Sequence, residues 1–249
     1  MNHAKWIAHF ERNRENRPEP DWAAPFALPE SVLKPLRPSL ADQLGDGGGP
    51  ACLIAGDAEQ FRGSSDAMRQ IVDLWFAEER EHSRLLGRAV DRIGARRVHE
   101  HWSFTAFLAC RRAMGVRAEL QVLLLVEIVS TVYYRLIRRH CTDQPLRDMC
   151  SLIMRDEAGH VAFHRDRLTA AGVSNWGLSG TLWELQFRLF GLAAAAMLWV
   201  AHGRCLRALG ARPAEFLREI HRELSRFIWR LGRTVQAPAR TRLPVPQAA

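Results

Sequence analysis

Two segments of the chain repeat one pattern: Glu78-Glu79-Arg80-Glu81-His82 and Asp156-Glu157-Ala158-Gly159-His160. Each is an acid followed by Glu-x-x-His, set inside a long stretch whose apolar residues recur at helical spacing. On a helix, positions i and i+3 share one face about a turn apart. One carboxylate and one imidazole can therefore converge on a common point. A single match of this kind carries little weight, but two in the same local context suggest a duplicated pair of helices. Strong helix formers are abundant while Gly and Pro cluster at a few places, so long helices are expected rather than a sheet of short strands.

The chain divides as follows. Residues 1 to about 38 hold six of the twelve prolines and read as an extended arm, with Trp6, Trp22 and Phe26 as docking anchors. Gly45 to Pro50 interrupts the pattern; Ala51 to Phe61 can be helical, and Arg62 to Asp66 reads as a turn with an N-cap. A long amphipathic helix is expected from Asp66 to about Ile93, carried by Met68, Ile71, Val72, Trp75, Phe76, Leu85, Leu86 and Val90 and ended by Gly94. A second runs from about Arg117 to Arg139. The Thr142-Asp143-Gln144-Pro145 turn starts a third, to about Ala171. Two further helices follow, near Leu178 to Leu209 and Pro213 to Leu231. The expected units are an arm (1–38), a helical bundle (39–172), C-terminal helices packed on it (173–232) and a disordered tail (233–249).

A site for two metal ions within four helices needs two more carboxylates, each level with a motif across an antiparallel hairpin. Glu127 and Glu157 are equidistant from Thr142, in the turn assigned above on independent grounds. Glu127 also lies in the apolar stretch Val122 to Val129, where a lone ionised carboxylate is costly unless paired or coordinated. Asp46 and Glu79 are equidistant from the Arg62–Gly63 bond, which makes Asp46 the expected fourth carboxylate. Asp42, Asp57 and Glu59 are its substitutes, because the Gly-Gly-Gly-Pro after Asp46 disturbs the level.

Glu79 to His82, Glu127 and Glu157 to His160 resemble the ligand pattern of the ferritin-like diiron-carboxylate proteins, which include the ribonucleotide reductase small subunit, acyl carrier protein desaturases and ferritins. The resemblance covers about residues 40 to 171. It implies a ferritin-like four-helix bundle holding two iron ions, with manganese an acceptable substitute. Glu127, Glu157 and His160 would serve one ion, and Asp46, Glu79 and His82 the other. It also implies that Asp156 holds His82 and Glu78 holds His160 through their free ring N–H groups; as bare sequence, both acids read equally as solvated helix faces. Tyr134, seven residues past Glu127 on the same face, is a candidate redox tyrosine, although core packing is the commoner role. The same weighing applies to His164 as an extra ligand. His99, His101, His140, His202 and His221 lack an acid at ligand spacing and read as structural or surface.

Three functions fit this reading. The first is an oxidase or oxygenase that activates dioxygen for an unspecified small organic substrate, with electrons from an external donor. The second is an iron-binding or ferroxidase protein without organic substrate. The third is a non-catalytic helical interaction protein with a vestigial site. No dinucleotide fingerprint, phosphate loop or nucleophile elbow occurs. The net charge of +8 comes from 33 arginines spread over every segment beside only two lysines. With no nucleic-acid motif, that spread is compositional, and no nucleic-acid partner is expected. Five cysteines without Cys-x-x-Cys, and a polar N-terminus, fit a reducing, cytoplasmic setting. The apolar run Leu189 to Ala201 falls short of the ~20 residues that span a bilayer. It reads as a buried helix, with interfacial membrane contact as the alternative. A homodimer through the last helices stays open.

Overall fold

Polar caps and glycines set the boundaries of most elements. The computed structural model describes residues 1–26, 28–46, 65–97, 102–173 and 176–236, with backbone alone for 45–46, 102–120 and 234–236. Among these residues every regular element is a helix: α1 His3–Glu15, α2 Glu30–Asp46, α3 Asp66–Arg92, α4 Trp102–His140, α5 Gln144–Ala170, α6 Gly177–Leu209 and α7 Pro213–Gln236. Ser65 caps α3 by accepting from Met68 N, and Asp143 caps α5 by accepting from Leu146 N, each satisfying an otherwise unpaired helix-start amide. Gly94 (φ 64°) and Gly210 (φ 108°) follow the ends of α3 and α6, in the left-handed region that favours glycine.

The α2, α3, α4 and α5 helices close a ring of contacts: α2 on α3, α3 on α5, α5 on α4 and α4 on α2. One apolar core fills that ring and continues outward under α6 and α7. It includes Leu36 and Leu40 of α2, Leu85 and Leu86 of α3, Val132 and Leu136 of α4, Met149 and Ile153 of α5, Phe187 of α6 and Ile220 of α7. Burial of a side chain of this size stabilises by roughly 1.5–3 kcal/mol, so the ring and its two outer helices share one cooperative interior.

Three expectations need correction. The first 38 residues are not an extended arm: α1 is a helix packed on α3 and α5, and most of α2 also falls within this stretch. Trp6 and Phe10, four residues apart on one face, join a second core with Ile71, Trp75 and Phe163. Of the other expected anchors, Trp22 is partly buried, whereas Phe26 is exposed beneath the Arg92 guanidinium. Second, α4 starts at Trp102, well before Arg117. Third, α6 is not simply buried. Leu178, Leu182, Leu185, Leu189, Phe190, Leu192, Met197 and Val200 are all exposed. By length and composition alone α6 could cross a membrane, and 33% of its most apolar window is buried. Ala51 to Phe61, the 62–64 turn and the tail from 237 lie outside the described residues.

Candidate metal centre

α3 and α5 lie against each other with their Glu-x-x-His faces inward, and α4 presents Glu127 to the same space. Glu79, Glu127 and His160 offer ligand atoms that all lie within 4.8 Å of one another. His160 Nδ1 is 3.2 Å from Glu79 Oε1, 3.4 Å from Glu157 Oε2 and 3.8 Å from Glu127 Oε1. His82 Nδ1 is 3.6 Å from Glu79 Oε2 and 3.7 Å from Glu157 Oε1. Glu79 and Glu157 therefore each face both histidines, one oxygen apiece. Glu127 faces His160 and, at 3.5 Å, His164 Nε2. Trp75 Nε1 donates to Glu79 Oε1 at 3.2 Å and fixes that carboxylate's rotation.

The opposite ring nitrogens are held by a crossed pair of buried acids. His82 Nε2 meets Asp156 Oδ2 at 3.0 Å, and His160 Nε2 meets Glu78 Oε2 at 2.9 Å. Each acid precedes the glutamate of one motif and holds the histidine of the other. With Nε2–H donated outward, each Nδ1 faces the carboxylates, so that its lone pair is aimed at them whenever the ring is neutral, the orientation that ligand histidines take from their outer partners. Arg17, beyond the end of α1, covers both acids: its Nη2 is 2.6 Å from Asp156 Oδ2 and 3.7 Å from Glu78 Oε1. Nothing in the sequence marks this arginine, which stands alone between Asn16 and Pro18 and comes from 139 positions before its partner Asp156.

Several buried atoms here have no hydrogen-bond partner among the described residues: His160 Nδ1, Glu127 Oε2, Glu157 Oε2 and His164 Nε2. Orphaned acceptors in an interior are costly, and all four belong to carboxylates or imidazoles gathered at one place. A carboxylate-rich set with imidazole nitrogens fits hard to borderline divalent cations such as iron(II) or manganese(II). Without a cation, protons fill the same role. Burial pushes Glu127 up to about 8 and also raises Glu157. Burial disfavours charge on His82, but Asp156 and Glu79 overcome this and hold its pKa near 10. Burial likewise opposes ionisation of Glu79, yet His160 and His82 keep it in the anionic form.

Asp46 is the last residue of α2, and its side chain is outside the described residues, as are Asp57 and Glu59 entirely. The structure thus brings together Glu79, His82, Glu127, Glu157 and His160, with Asp156 and Glu78 behind the histidines, and leaves the fourth carboxylate unplaced. Tyr134 is buried, and its hydroxyl donates to Gln43 Oε1 at 3.3 Å. Burial, then the nearby Glu157, keep its phenol protonated. Of the histidines assigned no ligand role, His202 is buried between Ser39 and Gln43, and His140 pairs with Glu215. Compared with known proteins, the chain matches no family model, no curated protein and no solved structure.

Proposed function

We propose that the chain is a ferritin-like di-metal protein that holds two iron ions between α2, α3, α4 and α5 and uses them to oxidise a small organic substrate with dioxygen. One observation carries this reading: two buried histidines, fixed from behind by Asp156 and Glu78, direct Nδ1 toward three glutamates, of which Glu127 and Glu157 are buried and each keep one oxygen without a hydrogen-bond partner among the described residues. Glu127, Glu157 and His160 would hold one ion, and Glu79, His82 and a carboxylate of α2 the other. Bound iron(II) would supply electrons to dioxygen, and an external donor would restore them.

The chain's own residues set the conditions for that chemistry. The Trp75, Phe163 and Phe10 rings pack on the His160 side of the cluster and shield that side from water. Asp156 and Glu78 keep both histidines in the ligand tautomer. Metal analysis after anaerobic iron(II) loading, followed by exposure to dioxygen, tests the proposal. Two irons per chain are expected, with visible absorption appearing on oxygenation, and both lost in Glu157→Ala and His82→Ala. A folded wild-type chain that retains no iron would overturn it.

A further inference from the structure

We propose that His164 Nε2 is a third nitrogen ligand of this site, which makes the two metal positions unequal. The inference rests on the di-metal reading and adds a residue to it. His164 lies one turn past His160 on α5, so both side chains face the same way. It is 2% exposed, and its Nε2 has no hydrogen-bond partner among the described residues. The ring stands edge-on to Trp75 at 5.2 Å and tilted against Phe163 at 5.9 Å. The polar atom facing this nitrogen is Glu127 Oε1, at 3.5 Å, the same oxygen that lies 3.8 Å from His160 Nδ1.

Two ligands bound at about 2.1 Å sit at most about 4.2 Å apart; Glu127 Oε1 is within that reach of both imidazoles, and the His164 ring must move toward His160 for one ion to touch all three. His164 reaches the cluster from its edge, since the mutually close set is Glu79, Glu127 and His160. The consequence is a division of the site. The position beside Glu127 has two imidazoles, whereas the position beside His82 has one. Divalent transition ions favour the nitrogen-richer position, so it fills first.

Anaerobic titration of the full chain with cobalt(II), with X-ray absorption at one equivalent to count imidazoles, tests this directly. The wild type is expected to show two imidazoles on the first cobalt. His164→Gln and His164→Phe should each show one, with the tighter step weakened at least about tenfold and the second step unmoved. The phenyl ring of the second variant fills the same aromatic niche without a ligand atom, so agreement of the two variants separates coordination from packing. One imidazole on the first cobalt in the wild type, unchanged in both variants, overturns the role of His164 and leaves the di-metal reading intact. A folded wild-type chain that binds no cobalt overturns both.

Discussion

At the scale of single residues, the metal-free cluster is a proton store. Glu127 holds its proton up to about 8 because burial penalises the carboxylate, and His82 holds one up to about 10 because Asp156 and Glu79 outweigh its burial. Both folded values lie above those of the unfolded chain, about 4.5 and 6.5. Their stabilising protonation is therefore fully present below the unfolded value and lost as pH rises through the folded one. Glu79 and Asp156, held low, titrate below this window; His164 and His9, held low by burial, oppose the slope only at its acid end, where the unfolded histidines still bind protons. The melting temperature of the metal-free protein is thus expected to fall from pH 6 to pH 9, followed by circular dichroism. With metal the slope should flatten or invert, because metal binding displaces those protons. A metal-free protein whose melting temperature rises across that range would contradict the protonation scheme. The glutamates and histidines of the two motifs that meet in the cluster were legible in the sequence because their spacing is local; Arg17 was not, because its contact joins distant segments.

At the scale of elements, the docking of α1 explains a residue inside the second motif. Glycine within a helix costs about 1 kcal/mol relative to alanine, yet Gly159 sits between Glu157 and His160. A Cβ there would lie 2.4 Å from His9 Nε2, so the His9 ring can rest against α5 in this position only because the side chain is missing. Gly159→Ala is expected to destabilise the protein while His9 is present and to stabilise it by about 1 kcal/mol in the His9→Ala background. A double-mutant cycle by urea denaturation measures the coupling, and additivity of the two changes would show that α1 does not meet Gly159. α3 was readable from its apolar periodicity and the turn before it, α5 from the turn that starts it, and α6 and α7 as two further helical stretches after α5, α6 being an apolar run rather than an amphipathic pattern. α1 was not, since two aromatic residues among charged neighbours give a weak stripe and acquire a partner only from α3 and α5. The expected start of α4 at about Arg117 was late, because the backbone is helical from Trp102, through Arg111, Arg112 and Gly115.

At the scale of the whole molecule, the cluster and the outer helices share α4 but not their polar contacts. Eight and twelve residues past Glu127, Arg135 and Arg139 donate to Glu219 of α7 at 3.0 and 3.2 Å. Arg139 also meets Glu215. Glu219 is 4% exposed, so its replacement removes an acceptor shared by the two arginines of α4, of which Arg139 stays partly in solvent. Arg135 retains Glu223 at 2.6 Å, which limits the cost. Glu219→Ala is therefore expected to lower stability by about 1–2 kcal/mol while leaving metal stoichiometry and the order of filling unchanged. Glu157→Ala should do the reverse: it relieves a buried acid and so costs the metal-free protein little, but it removes the melting-temperature rise on metal addition, about 2.7 kcal/mol at a hundredfold excess over Kd. Calorimetry of both variants with and without manganese(II) separates the two effects. If Glu219→Ala abolished metal binding, the cluster would depend on α7 as strongly as on α3 and α5, and the site could not be regarded as a property of the inner ring of helices alone.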